Sequence, residues 1–292
     1  MKRRLARGMG GLLAILVALI AIRERFEPFL LLRLDDVLGL APEPVTLSLG
    51  DGLALRAYQD ARPHTGKIDE LQKGLVLVAD GRERVEEGFG FGAPIVRYGE
   101  MTYLSREAEV TLGNGVPATA LVKTYEIDVA DYPVQFLRRK YRDVASLGQV
   151  VVTYTIASYN QLLVSVDLSG LEPGWDEVFI MNEQGARVFT RYQDGAGEIW
   201  TDVPGIWQPV RDACGCWIDP SRRLRFCVET PVPQSRYIGR ERYYQYNWAG
   251  IYSLSWSGID LHIEPPDPTL DYTIHIERLP ADNGVWIHVP CS

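Results

Sequence analysis

The 292 residues are 46% hydrophobic and 23% charged, a balance that supports a packed core and excludes a disordered polyelectrolyte. The first 25 residues hold six basic side chains and one acidic, which leaves 24 basic against 37 acidic, about −13, from Phe26 onward. That surplus of acid disfavours nucleic acid and anionic lipid as principal partners of the main body.

Lys2, Arg3, Arg4 and Arg7 precede an uncharged apolar run from Met9 to Ile22, which closes at Arg23, Glu24 and Arg25. A basic flank before an apolar segment keeps the N-terminus inside and exports the remainder of the chain. The run is short for a full span of about 20 residues, as in a cleaved signal, yet cutting after Ala18 or Ala21 would place Ile15 or Leu19 where a small residue is needed. Residues 1–25 are therefore read as a signal-anchor or signal helix. Residues 26–44 contain a second apolar stretch interrupted by Arg33, Asp35 and Asp36, too polar to span, and are read as an amphipathic juxtamembrane segment. Residues 45–292 form the extracytoplasmic domain, in a single-pass arrangement with the membrane as a partner.

Alternation of apolar and polar residues dominates that domain. Val45, Leu47 and Leu49, then Leu53, Leu55 and Ala57, flank Gly50-Asp51-Gly52 as a hairpin. A similar pair is expected around Gly113-Asn114-Gly115. Further strands are expected over 75–78, 149–156, 162–168, 177–181, 186–192, 252–256, 261–263, 272–276 and 285–289. Asn182-Glu183-Gln184-Gly185 and Ser257-Gly258-Ile259-Asp260 read as turns between neighbours. The glycines from Gly88 to Gly92 read as a solvent-facing loop leading into the strand that starts at Pro94.

One segment departs from period two. Asp131 suits a cap, Pro133 a first helical position, and Val134, Leu137, Tyr141 and Val144 recur at helical spacing, which predicts one amphipathic helix with Arg138, Arg139, Lys140 and Arg142 on its polar face. The resulting fold class is all-β, a large antiparallel β-sandwich with one amphipathic helix, preceded by the N-terminal transmembrane or signal helix.

Cys214, Cys216, Cys227 and Cys291 are an even set in an exported chain, which points to disulfides. If Asp219 faces Arg222 across a tight turn, Cys214 opposes Cys227 and Cys216 is left for Cys291. A register slip instead joins Cys216 to Cys227 and Cys214 to Cys291. A four-thiolate zinc site is disfavoured because Cys-X-Cys is tighter than the usual separation of two to four residues. No metal site and no cofactor are expected.

Catalytic motifs are absent: there is no Gly-X-Ser-X-Gly elbow and no histidine pair at helical metal-binding spacing. Glu86 and Glu87, beside the glycine-rich stretch, are the carboxylates considered for acid or base work, and His262 and His275 the imidazoles considered for proton transfer. The unusual composition is aromatic. Tyr243, Tyr244, Tyr246 and Trp248, with Arg236, Arg240 and Arg242 nearby, suit the flat faces of sugar rings or a protein interface. The function expected is noncatalytic binding of carbohydrate or an envelope protein. A carbohydrate-processing enzyme and an accessory subunit of a membrane complex are the alternatives.

Overall fold

The structure is a computed structural model that describes residues 43–59, 73–85, 88–106, 108–113, 119–131, 141–201, 203, 208–210, 213–230, 235–247 and 250–279, with backbone alone at 141–142, 208–210, 235–247 and 250–255. The signal-anchor reading and most of the juxtamembrane segment lie outside the described residues. Among those residues no helix is long and apolar enough to cross a membrane.

The described chain opens with β1 (Val45–Gly50), β2 (Leu53–Ala57), β3 (Val76–Ala79), β4 (Arg82–Glu83), β5 (Gly90–Tyr98), β6 (Met101–Leu104) and β7 (Ala108–Leu112). It continues through β8 (Ala120–Glu126), β9 (Val129–Asp131), β10 (Tyr141–Asp143), β11 (Gln149–Ser158), β12 (Gln161–Asp167), β13 (Glu177–Gln184) and β14 (Arg191–Gln193). Last come β15 (Ile199–Trp200), β16 (Gln208–Val210), β17 (Cys214–Asp219), β18 (Leu224–Glu229), β19 (Ser235–Asn247), β20 (Gly250–Ile263) and β21 (Thr269–Arg278). All pairings between these strands are antiparallel, so the fold is all-β, as the alternation predicts.

Three sheets result. One has eight strands in the order β10-β9-β6-β5-β13-β20-β19-β16, one has nine in the order β15-β14-β17-β18-β21-β12-β11-β8-β7, and a small one runs β1-β2-β3-β4. Period-two burial explains how they pack: β8 alternates half-buried and buried along its whole length, so Leu121, Lys123 and Tyr125 share its inner face. Inward residues of all three sheets merge into one core that includes Leu55, Leu77, Phe91, Tyr154, Ile180, Phe226 and Ile274. Each of the larger apolar side chains there is worth roughly 2 kcal/mol of burial. Polar ties cross the same interface. Tyr154 donates to the Phe91 carbonyl at 2.8 Å and Trp217 Nε1 to the Gly258 carbonyl at 2.9 Å.

Four expectations are corrected. The helix from Asp131 is replaced at both of its ends by strand, because Val129 and Ala130 are buried against β6 and β10 pairs with β9 as the next strand outward. Residues 132–140, with most of the basic cluster, lie outside the described residues. Residues 182–184 and 257–260 of the two expected turns are strand: β13 runs through to Gln184, with the chain turning only after it, and β20 runs through the whole of 257–260. The glycine-rich stretch is likewise strand from Gly90, buried rather than solvent-facing. Gly92 sits at φ +80°, where a Cβ would come within 2.3 Å of the Tyr154 hydroxyl, so glycine there permits the sheets to close.

The cysteine register is the fourth. Asp219 pairs with Leu224 across a four-residue loop, not with Arg222, because its carboxylate accepts hydrogen bonds from Ser221 N (2.9 Å) and Arg222 N (3.2 Å) and Arg223 takes a positive φ of 51°. The offset is the register slip already given as the alternative: it moves Cys227 opposite Cys216, and these two form the disulfide that alternative predicts. Cys214 is also disulfide-bonded, and Cys291 lies outside the described residues.

Candidate functional site

The richest concentration of polar chemistry lies on β13 and β20, adjacent strands near the middle of the eight-stranded sheet. Their register pairs Val178 with Ile263, Phe179 with His262 and Ile180 with Leu261. Val178 and Ile180 enter the main core, while Phe179 and Met181 join a second apolar cluster with Phe89, Ala93, Leu104 and Val129. The strand therefore buries both faces.

On the second face the same alternation brings Glu177, His262 and Glu264 together. The Phe179 ring stacks on the His262 imidazole with centroids 4.7 Å apart and planes within 7°. His262 Nε2 meets one carboxylate oxygen of Glu177, and the Arg97 guanidinium, one strand over, meets the other. One ligand atom from each of Glu177, His262 and Glu264 lies within 4.8 Å of the others. An imidazole nitrogen with two carboxylates is a donor set that a divalent metal accepts.

Farther along these strands sits a buried acidic pair. Asp260 and Glu183 are both almost fully buried. Asp260 Oδ1 accepts the Asn182 backbone N–H at 2.9 Å, and Glu183 Oε2 accepts the Phe89 N–H at 3.0 Å. Burial first, and the nearby negative Glu183 second, push the Asp260 carboxyl well above the usual carboxylate range. Gly258 makes room for this arrangement, since a Cβ there would lie 2.7 Å from Glu183 Cγ. Asp260 thus holds the bulged backbone of β13 from β20, and Glu183 holds the chain entering β5 from β13, a structural task.

A third buried ionisable side chain stands elsewhere. Lys123 on β8 is fully buried, donates from Nζ to the Tyr58 carbonyl at 3.3 Å and to the Lys73 carbonyl, and lies 5.2 Å from the Tyr125 ring centre. These contacts fasten the nine-stranded sheet to residues flanking the small sheet. Burial lowers its pKa to about 7.

The residues singled out in sequence scatter. His262 is in the eight-stranded sheet, whereas His275 is half-buried in the nine-stranded one, opposite Cys227 and 3.3 Å from Glu229. Glu86, Glu87 and Trp248 lie outside the described residues. Tyr243, Tyr244 and Tyr246 fall in β19, of which the backbone is described. That backbone is informative. The β19–β20 ladder runs from Ser235↔His262 to Asn247↔Gly250, yet β13 follows β20 only as far as Ser257 and β16 follows β19 only as far as Ile238. Among the described residues, 241–247 and 250–256 therefore extend past the sheet as a two-stranded ribbon about 23 Å long.

Sequence reasoning missed Glu177, Glu264, Asn182, Glu183, Asp260 and Lys123. Only the lysine carried a local signal, as a charged residue at an inward position of a clean alternation.

No protein-family model and no curated protein matches the sequence. Among solved structures, the chain is similar to the GalM/aldose epimerase homologue from C. elegans, at 7% identity over 82% of this chain and 100% of that one, with a TM-score of 0.43. It is also similar to 4-alpha-glucanotransferase from Thermococcus litoralis, at 10% identity over 82% of this chain and 40% of that one, with a TM-score of 0.45. Heparan sulfate lyase HepC from Pedobacter heparinus gives 11% identity over 82% of this chain and 36% of that one, with a TM-score of 0.41. The chain thus spans about two-fifths of the length of the latter two proteins.

Proposed function

We propose that this is an extracytoplasmic β-sandwich protein, held at the membrane by its N-terminal segment, that binds carbohydrate without transforming it. The observation that carries the reading is the β19–β20 ribbon, which extends past its neighbours and holds Tyr243, Tyr244, Tyr246 and Tyr252 in its sequence. A two-stranded ribbon is marginal on its own, and one this rich in tyrosine gains most by laying flat rings against a ligand. Two of the described carboxyl groups agree with a noncatalytic role: Asp260 Oδ1 and Glu183 Oε2 accept backbone N–H groups away from solvent. The basic and apolar N-terminus and the Cys216–Cys227 disulfide support export to an oxidising compartment.

The test is a glycan array probed with the purified full chain and with a Tyr243→Ala/Tyr246→Ala variant. Binding to a defined set of glycans, lost in the variant at unchanged melting temperature, is the expected result. An array without hits, or hits that survive the double substitution, overturns the reading. Capture of one envelope protein through the ribbon would replace carbohydrate with protein as the ligand.

A further inference from the structure

We propose that Glu177, His262 and Glu264 form a binding site for a divalent first-row transition ion, with zinc the best fit. The proposal does not depend on the carbohydrate reading, since it uses a different part of the eight-stranded sheet.

The donor chemistry comes first. One imidazole nitrogen and two carboxylate oxygens match borderline ions such as zinc, whereas calcium and magnesium prefer oxygen alone. Geometry agrees. Donors around a tetrahedral ion with bonds of about 2.1 Å lie about 3.4 Å apart. The three atoms here fall within 4.8 Å of one another; His262 Nε2 and Glu177 are in direct contact and would part to admit the ion, while Glu264, which is exposed, has the rotamer freedom to close on it.

Electrostatics points the same way. Continuing the β13–β20 register past Val178 and Ile263 sets the Glu177 position opposite Glu264, and like charges directly opposed across strands are destabilising. Arg97 answers one oxygen of Glu177. A divalent ion between the second oxygen, His262 and Glu264 would remove the rest of the repulsion. The site is also prepared around its ligands: Phe179 fixes the plane of the imidazole by stacking, and Arg97 holds the Glu177 carboxylate in orientation, the task outer partners perform at metal centres. Three protein ligands, of which Glu264 is exposed, leave a tetrahedral ion one further position, for water.

The experiment uses the full chain, stripped of metal and carrying no histidine tag. Cobalt(II) chloride is titrated in and the visible absorption recorded, then zinc chloride is added in competition, and melting temperature is followed with zinc, calcium and magnesium separately. The expected result is a cobalt spectrum of low-symmetry nitrogen and oxygen coordination, displaced by zinc, and a rise in melting temperature with zinc. Glu264→Ala is expected to weaken zinc binding at least about tenfold, as is His262→Ala. The exposed Glu264 carries the decision, because its loss leaves the buried packing of His262 on Phe179 intact. Zinc affinity unchanged in Glu264→Ala, no zinc-displaceable cobalt spectrum, or a melting shift with calcium or magnesium but not zinc each overturns the proposal. The first two would leave Arg97 and His262 simply as contact partners of Glu177.

Discussion

The Tyr272 hydroxyl on β21 donates to Asn182 Oδ1 on β13 at 3.0 Å, a fully buried hydrogen bond between the two large sheets. The same oxygen accepts the Gly92 N–H at 3.2 Å, and Asn182 Nδ2 donates to the Ile180 carbonyl at 3.2 Å. One side chain thus satisfies the bulged backbone and ties the layers together. Tyr272→Phe is expected to destabilise by about 1.5 kcal/mol and Asn182→Ala by about 3 kcal/mol, the larger cost reflecting the stranded N–H and a cavity. Urea denaturation of both and of the double variant should give a coupling of about 1 kcal/mol, and a coupling near zero would contradict the contact.

Asp260 predicts a pH dependence of stability. Its folded pKa is raised by burial and by Glu183, so between the ordinary carboxylate range and the raised value the folded state holds a proton that the unfolded state has lost. Stability from this group is complete in acid and falls as pH rises through that window. Asp260→Asn keeps an acceptor for the Asn182 N–H and removes the titration. The variant should gain on the wild type in denaturant midpoint as pH rises above the ordinary carboxylate range toward the raised folded value. A difference that stays constant as pH rises above the carboxylate range would refute the assignment.

These residues also mark the limit of local sequence patterns. The hairpin at Gly50-Asp51-Gly52, the inward positions of β8 and the antiparallel class were legible because alternation of apolar residues reports burial directly. Asn182-Glu183-Gln184 and Ser257-Gly258-Ile259-Asp260 have the composition of turns, and their strand conformation rests on partners such as Phe89, Gly92 and Tyr272 that are distant in sequence. The convergence of Glu177 on His262 depends on a register between strands some 80 residues apart, which no local pattern encodes. In the same way, helical spacing near Asp131 is a local preference that pairing at the edge of β6 overrides at Asp131 and at 141–143.

Lys123 acts in the opposite direction to Asp260. Burial lowers its pKa from 10.5 to about 7, so between these values the unfolded chain binds a proton that the folded protein lacks. Stability should therefore rise from about pH 7 toward pH 10, by an amount on the order of a few kcal/mol. Lys123→Met is expected to abolish that rise. It also leaves the Tyr58 and Lys73 carbonyls without their amine donor, so the slope against pH, and not the absolute stability, is the measurement that decides.

The Cys216–Cys227 disulfide closes a short loop across paired strands, with a sequence separation of 11 residues. On loop-closure entropy its removal should cost about 3 kcal/mol. Cys214 is oxidised as well, and the fourth cysteine of the chain is Cys291, so a second bond joining these two is expected. Trypsin separates Cys216 from Cys227 at Arg222, Arg223 and Arg225 but leaves Cys214 and Cys216 on one peptide. A non-reducing digest of the wild type should then yield three peptides joined together, which either connectivity would give. Cys214→Ser breaks the degeneracy. In that variant the peptide holding Cys216 should remain bound to the one holding Cys227, with the Cys291 peptide released or paired elsewhere. Recovery of Cys216 joined to Cys291 would show that the strands prefer the tighter turn at Asp219, with Cys214 opposite Cys227.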